Sequence, residues 1–204
     1  MKTLTDTINE LNRIFGLLNE KYYDSELELP MITIQKQRSL NLGHFTLRKI
    51  WKDKETEECK YEININPINL DRPLVNIVET LNHEMIHYWN TANEIKDCNG
   101  QIHNKKFKNA AEERDLICEK SKKYGWGFTS PTEDFIKFVE EEVNPDPECF
   151  KYFMNIPKEE KPDKPKNKKT FKYICPTCGM EVKAKPDSNV MCGDCGCKLE
   201  IEEE

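Results

Sequence analysis

His83-Glu84-Met85-Ile86-His87 constrains this chain more than any other stretch. In a helix, imidazoles four residues apart project from one face, close enough to share a metal ion. The glutamate between them can then serve as general base toward a water at that ion. The flanking residues call for such a helix. Leu74, Ile77, Val78, Leu81, Met85 and Tyr88 form an apolar stripe, with a period near 3.6 residues. At roughly 100° per residue, His83 and His87 fall about half a turn from that stripe. Asn76, Thr80 and Asn90 share their side, and Glu84 sits on its flank. Asp71 and Pro73 supply helix-start chemistry. Histidines with this spacing can also be simply packed or solvated. Here they face away from the apolar stripe, which favours a zinc hydrolase, most often a peptidase.

A catalytic zinc usually takes three protein ligands and keeps one position for water. The chain has four histidines, His44, His83, His87 and His103. His103 follows the turn-rich Asp97-Cys98-Asn99-Gly100 and opens a second helical pattern carrying Phe107, Ala110, Ala111, Arg114 and Ile117 on one face. A loop of this length lets that helix fold back on the first, so His103 is the expected third ligand. His44 lies in the alternating Gly43-His44-Phe45-Thr46-Leu47, where a half-buried, hydrogen-bonded histidine is the commoner outcome. The acidic pair Glu112-Glu113 stays open as another donor.

Near the C-terminus, Cys175-Pro176-Thr177-Cys178-Gly179 and Cys192-Gly193-Asp194-Cys195-Gly196 are matching knuckles, with 13 residues between Cys178 and Cys192. Two disulfides or a redox dithiol are competing readings, but paired knuckles point to a zinc ribbon. Four thiolates close the tetrahedron and leave no place for water, so this second zinc is structural. Met180 to Ala184 alternates as a hairpin strand between the knuckles. Cys197 is a spare thiol, and the matching Cys-Gly pairs favour Cys195 over it as ligand.

The remaining organisation is α+β. Leu4, Ile8, Leu11 and Phe15 give a first amphipathic helix. Met31–Ile34, Gly43–Trp51 and Lys60–Ile65 read as three strands of a meander, so the helices should pack on a small antiparallel sheet. Ser130-Pro131-Thr132-Glu133 reads as a capping box with proline at the first helical position, opening a helix with Phe135, Phe138 and Val139. Asn144-Pro145-Asp146-Pro147 ends it, and Phe150, Tyr152 and Phe153 should dock back on the core. Three segments follow: a domain over 1–154, a linker over 155–171 rich in Pro and Lys, and the ribbon over 172–204.

In Pro157 to Lys169, six lysines against three acids give +3. Such a run is usually a solvated tether, though it could lean on phosphates. With a formal charge of -6 overall, any DNA contact, through linker or ribbon, must be local. The nine cysteines are an odd number, which fits free thiols in a reducing cytoplasm better than a disulfide framework. Neither an apolar leader nor a stretch long enough to span a membrane is evident, so cytoplasmic is the expectation.

The zinc pattern with its glycine-containing turn, His103 and Phe107 resembles the SprT-like zinc metallopeptidases, the Spartan-related family that includes a protease of DNA-crosslinked proteins. Leu18-Asn19-Glu20-Lys21-Tyr22-Tyr23 leading to Leu29-Pro30, then Gly43-His44-Phe45, Trp51 and Tyr61-Glu62-Ile63-Asn64-Ile65, look like that family's helix-then-hairpin lead-in. The resemblance spans about residues 4–128. It implies a zincin-like domain with a three-histidine zinc site, Glu84 as the base, and substrates among polypeptides bound to DNA. One departure is Ile102, where the family often has glycine. A zinc-ribbon binding module of transcription or repair without peptidase activity is the alternative from another class. A metal hydrolase of a non-peptide substrate is the third.

Overall fold

The computed structural model describes residues 2–37, 41–155 and 170–202. These form two compact units, one within Met1–Ile156 and the other within Pro157–Glu204. Each has its own apolar core. Most of the expected linker, with its lysines, lies outside the described residues. No helix among the described residues is long and apolar enough to cross a membrane.

In the first unit, α1 runs Leu4–Tyr23. The Asp6 carboxylate accepts from the Thr3 amide at 2.7 Å and closes its first turn. Leu11, Ile14, Phe15 and Leu18 are buried along its inner face, as its apolar spacing requires. β1 (Met31–Ile34), β2 (Gly43–Phe45), β3 (Trp51–Lys52), β4 (Cys59–Lys60) and β5 (Glu62–Ile65) follow. The α+β class holds, but the expected meander does not. β5 sits between β1, which it pairs in parallel, and β2, which it pairs antiparallel, while β3 and β4 form a separate hairpin. Strand alternation in the sequence shows which face is apolar but not which neighbour a strand takes.

α2 (Leu74–Ala92) is the central element. Its stripe packs inward, with Ile77, Val78, Leu81 and Met85 fully buried. The opposite face is covered too: Glu79, Thr80, Asn82, Glu84 and Asn90 are all buried. The cover comes from β2 on one side and, on the other, from α3 (Lys105–Glu112) and β9 (Gly125–Pro131), with β6 (Cys98–Asn99), β7 (Ile102–His103) and β8 (Leu116–Ser121) in the same sheet as β9. β6, β7, β9 and β8 lie side by side in that order, with β7 parallel to β9.

Three local expectations are corrected here. His103 ends β7 rather than opening a helix, because Asn104 caps α3 by accepting from the Lys106 amide at 2.7 Å. α3 stops at Glu112, and the chain turns through Asp115 at φ 56°. Ile117 therefore lies on β8, exposed, instead of on the helical face. The last helix, α4 (Glu133–Phe138), is capped by Thr132, not Ser130. Its Oγ1 accepts from the Phe135 amide at 3.2 Å, while Pro131 closes β9. Phe135, Phe138 and Val139 are buried as expected. Beyond Asn144, in the left-handed region at φ 41°, only Phe150 of the three aromatics is buried; Tyr152 and Phe153 are exposed.

The second unit is a three-stranded sheet with β10 (Phe171–Ile174) between β11 (Glu181–Ala184) and β12 (Glu200–Ile201). Tyr173, Cys175, Cys192 and Leu199 form its small core.

Leu81 is fully buried where α2 meets the rest of the core. Leu81→Ala should lower unfolding free energy by about 2–5 kcal/mol, read as a shift of the urea midpoint at constant slope.

Candidate metal centre

α2 sets two imidazoles one turn apart, with ring centroids at 5.1 Å. The β6–β7 turn returns the chain so that His103 faces them, its centroid 5.3 Å from His83 and 4.9 Å from His87. One ring nitrogen from each lies within 4.8 Å of the others. Phe107, fully buried at the start of α3, packs against all three rings at 4.5–4.7 Å. His44 lies on β2 opposite Asn64 and is outside this cluster. Glu112 pairs with Lys108, and Glu113 lies near Arg114, so neither joins it.

The partners of each ring decide which nitrogen is free. His103 Nδ1 lies 3.2 Å from the Tyr124 carbonyl, which can only accept, so Nδ1 carries the proton. His87 Nδ1 donates to Asp97 Oδ2 at 2.7 Å, and Asn90 Nδ2 donates to the same oxygen at 3.0 Å. Thr129 donates its hydroxyl proton to Glu79 and accepts from His83 Nδ1 at 2.8 Å. Every Nδ1 is thereby committed as a donor, and every Nε2 keeps a lone pair.

His87 Nε2 and His103 Nε2 face each other at 3.1 Å. Two lone pairs at that distance repel unless a cation sits between them. Burial, then the neighbouring His87, hold His103 down to about pKa 4, so its Nε2 keeps the lone pair at neutral pH. Burial likewise holds His83 well below its ordinary value. A metal fits. Zn–N lengths of about 2.0–2.1 Å in a tetrahedron set nitrogens roughly 3.3 Å apart.

Glu84 is buried beside the cluster. Burial pushes its carboxyl up to about 7, against the pull of His87 and of the Phe45 amide. Gly43 makes this placement possible: a Cβ there would stand 2.9 Å from Glu84 Oε1. Gly127 does the same for the third ring, since its Cβ would lie 2.4 Å from His103 Nδ1.

Asp97 and Cys98 also fall within reach of His87. Burial raises the Asp97 pKa, but hydrogen bonds from His87, Asn90 and Cys98 outweigh it and leave the carboxyl below its ordinary value. With its oxygens taken by those donors, Asp97 reads as a support of His87 rather than a ligand. Sequence reasoning missed Asp97, Glu79, Thr129, Gly127 and the Tyr124 carbonyl. Only Asp97, an acid in the turn between two ligand candidates, left a signal.

In the second unit, Cys175, Cys178, Cys192 and Cys195 converge, each Sγ within 4.8 Å of the others. Gly179 and Gly196, at φ 73° and 65°, turn the two knuckles inward. Their amides donate to the Cys175 and Cys192 carbonyls at 2.9 Å. Cys178 and Cys192 Sγ are 3.7 Å apart, against roughly 3.8 Å for tetrahedral thiolates at a Zn–S length of about 2.3 Å. Cys197 stands outside the four, 3.4 Å from Cys175 Sγ. This donor set suits zinc.

The SprT-like family model matches residues 11–121, more than half of the chain. The chain belongs to the SprT-like family. That match spans α1 through β8 and so includes all three histidines and Glu84 of this SprT-like domain. No curated protein and no solved structure gave a match.

Gly127→Ala should push the His103 ring off its present position and weaken metal uptake by this cluster at least tenfold, read by chelator competition. A pH dependence follows for the metal-free chain. His103 has a folded pKa of about 4 against an ordinary 6.5, so the unfolded chain takes up the proton first. Stability should therefore fall as pH drops from about 6.5 to about 4, measured as urea midpoints after chelator treatment.

Proposed function

We propose that this chain is a zinc-dependent endopeptidase of SprT-like type, with His83, His87 and His103 holding the catalytic zinc and Glu84 as the general base. Cys175, Cys178, Cys192 and Cys195 would hold a second, structural zinc. The observation carrying this reading is the facing pair of Nε2 atoms at 3.1 Å with a buried carboxyl beside it. Three neutral imidazoles leave one corner of a tetrahedron open, as catalytic zinc sites do.

When bound, zinc supplies Lewis acidity, polarising the scissile carbonyl and acidifying water. The remaining chemistry falls to the chain. Glu84, held between α2 and Gly43, takes a proton from the attacking water and hands it to the leaving amine. Its carboxyl starts near 7, high enough to accept a proton at neutral pH; a cation among the histidines draws that value down. Phe107 closes the site from behind. Asp97 holds the His87 ring through Nδ1.

We further propose that the substrates are polypeptides associated with DNA, on the strength of the SprT-like assignment and the lysines of 157–169. Cys59, Cys98, Cys118 and Cys149, all free thiols, suit a reducing cytoplasm.

Glu84→Gln should lower cleavage of a casein or peptide substrate by about 10²–10⁴-fold or more while zinc content stays at two per chain. Retained cleavage would overturn the assignment of the base. The same assay run with and without single-stranded DNA reads the second proposal: stimulation supports it, and equal rates leave a general peptidase.

A further inference from the structure

Glu79 is a carboxyl the mechanism does not use. It sits on α2 one turn before His83 and is only 4 % exposed. Burial pushes its pKa up to about 7, so the fold meets a desolvation penalty there that an apolar residue would avoid. Its surroundings do little to offset this. Thr80 Oγ1 is 3.5 Å from Oε2 and donates instead to the Asn76 carbonyl at 2.9 Å. Arg72, whose charge would suit Glu79, donates to Thr80 Oγ1 at 2.8 Å. The one close donor to Glu79 among the described residues is the Thr129 hydroxyl, reaching across from β9.

Thr129 is the hydroxyl that accepts from His83 Nδ1 at 2.8 Å. A hydroxyl that has given its proton to a carboxylate is a better acceptor, because hydrogen bonds in a chain polarise one another. We infer that Glu79 is a positioning residue of the metal centre: acting through Thr129, it holds His83 in the Nδ1-protonated tautomer and makes its Nε2 more basic. His87 has a carboxylate directly, Asp97, and His103 has a carbonyl. His83 has its carboxylate at one remove, because a glutamate one turn away on the same helix reaches the ring only through a second element. The inference rests on the histidines being zinc ligands. It adds a residue that touches neither metal nor substrate.

The test uses the full chain, with zinc as the probe. Zinc affinity of the histidine site is measured by chelator competition, and cobalt substitution gives a visible spectrum of that site. Thiolate-to-cobalt bands report the ribbon separately. Thr129→Val keeps the shape and removes the hydroxyl, and should weaken zinc binding at the histidine site by about 10–100-fold. Thr129→Ser should restore it. Glu79→Gln should weaken it in the same direction and change the cobalt spectrum. The double variant should be no worse than Thr129→Val alone, because the two residues act in series.

A purely structural Glu79 would shift the melting temperature of the metal-free chain and leave zinc affinity unchanged, which overturns the inference. Additive losses in the double variant overturn it as well, by showing that Glu79 acts without Thr129. Should Glu79→Gln fail to fold, Glu79→Asp draws the carboxylate back by one methylene and is read the same way. Wild type that takes up only the ribbon's ion would sink the proposed function itself. Wild type with two ions, and a Thr129→Val variant of unchanged affinity, sinks only this inference.

Discussion

Two acceptor nitrogens, His87 Nε2 and His103 Nε2, face each other at 3.1 Å while their partner nitrogens are already engaged as donors. Burial holds the His103 ring, and the His83 ring beside it, below the ordinary histidine pKa. A site of this kind could hold a metal ion. Much of the first unit can be understood as the scaffolding that keeps the nitrogens there. Phe107 packs against the three rings, Asp97 holds one of them, and the glycines 43 and 127 let strands approach from either side.

α2 carries two duties on opposite faces, and both are buried. The apolar face anchors it against α1 and the β1–β5–β2 sheet; the polar face is roofed by β2 on one side and the β6–β9 segment on the other. A polar face under such a roof must satisfy each group it hides. Most of its buried polar groups do find partners: Asn90 Nδ2 donates to Asp97 and Glu79 is met by Thr129, although Asn90 Oδ1 has none among the described residues.

What the sequence made legible follows from locality. The α2 stripe, the histidine pair with its glutamate and the cysteine knuckles are each written within a few residues, and periodicity or spacing reads them directly. The break at Asp115 was harder, because Arg114 and Ile117 continue a helical rhythm that the chain abandons for a strand; Arg114 is buried at Tyr23 and Trp89 for reasons that lie far away in sequence. The parallel pairing of β1 with β5 and the contact of Thr129 with His83 are also tertiary facts. No local pattern announces a threonine on a hairpin 46 residues away from the ring it touches. His103 was readable as a candidate, but its place on a strand rather than a helix depended on the cap that Asn104 supplies.

The single bridge between β7 and β9, His103 opposite Gly125, ties one nitrogen donor to a hairpin made later in the chain. The other two donors are neighbours on one helix and exist as soon as that helix does. A complete three-histidine donor set therefore needs the later hairpin in place. If the three histidines hold zinc as proposed, metal retention would read out finished tertiary assembly, and a partly opened chain would lose one of its three donors.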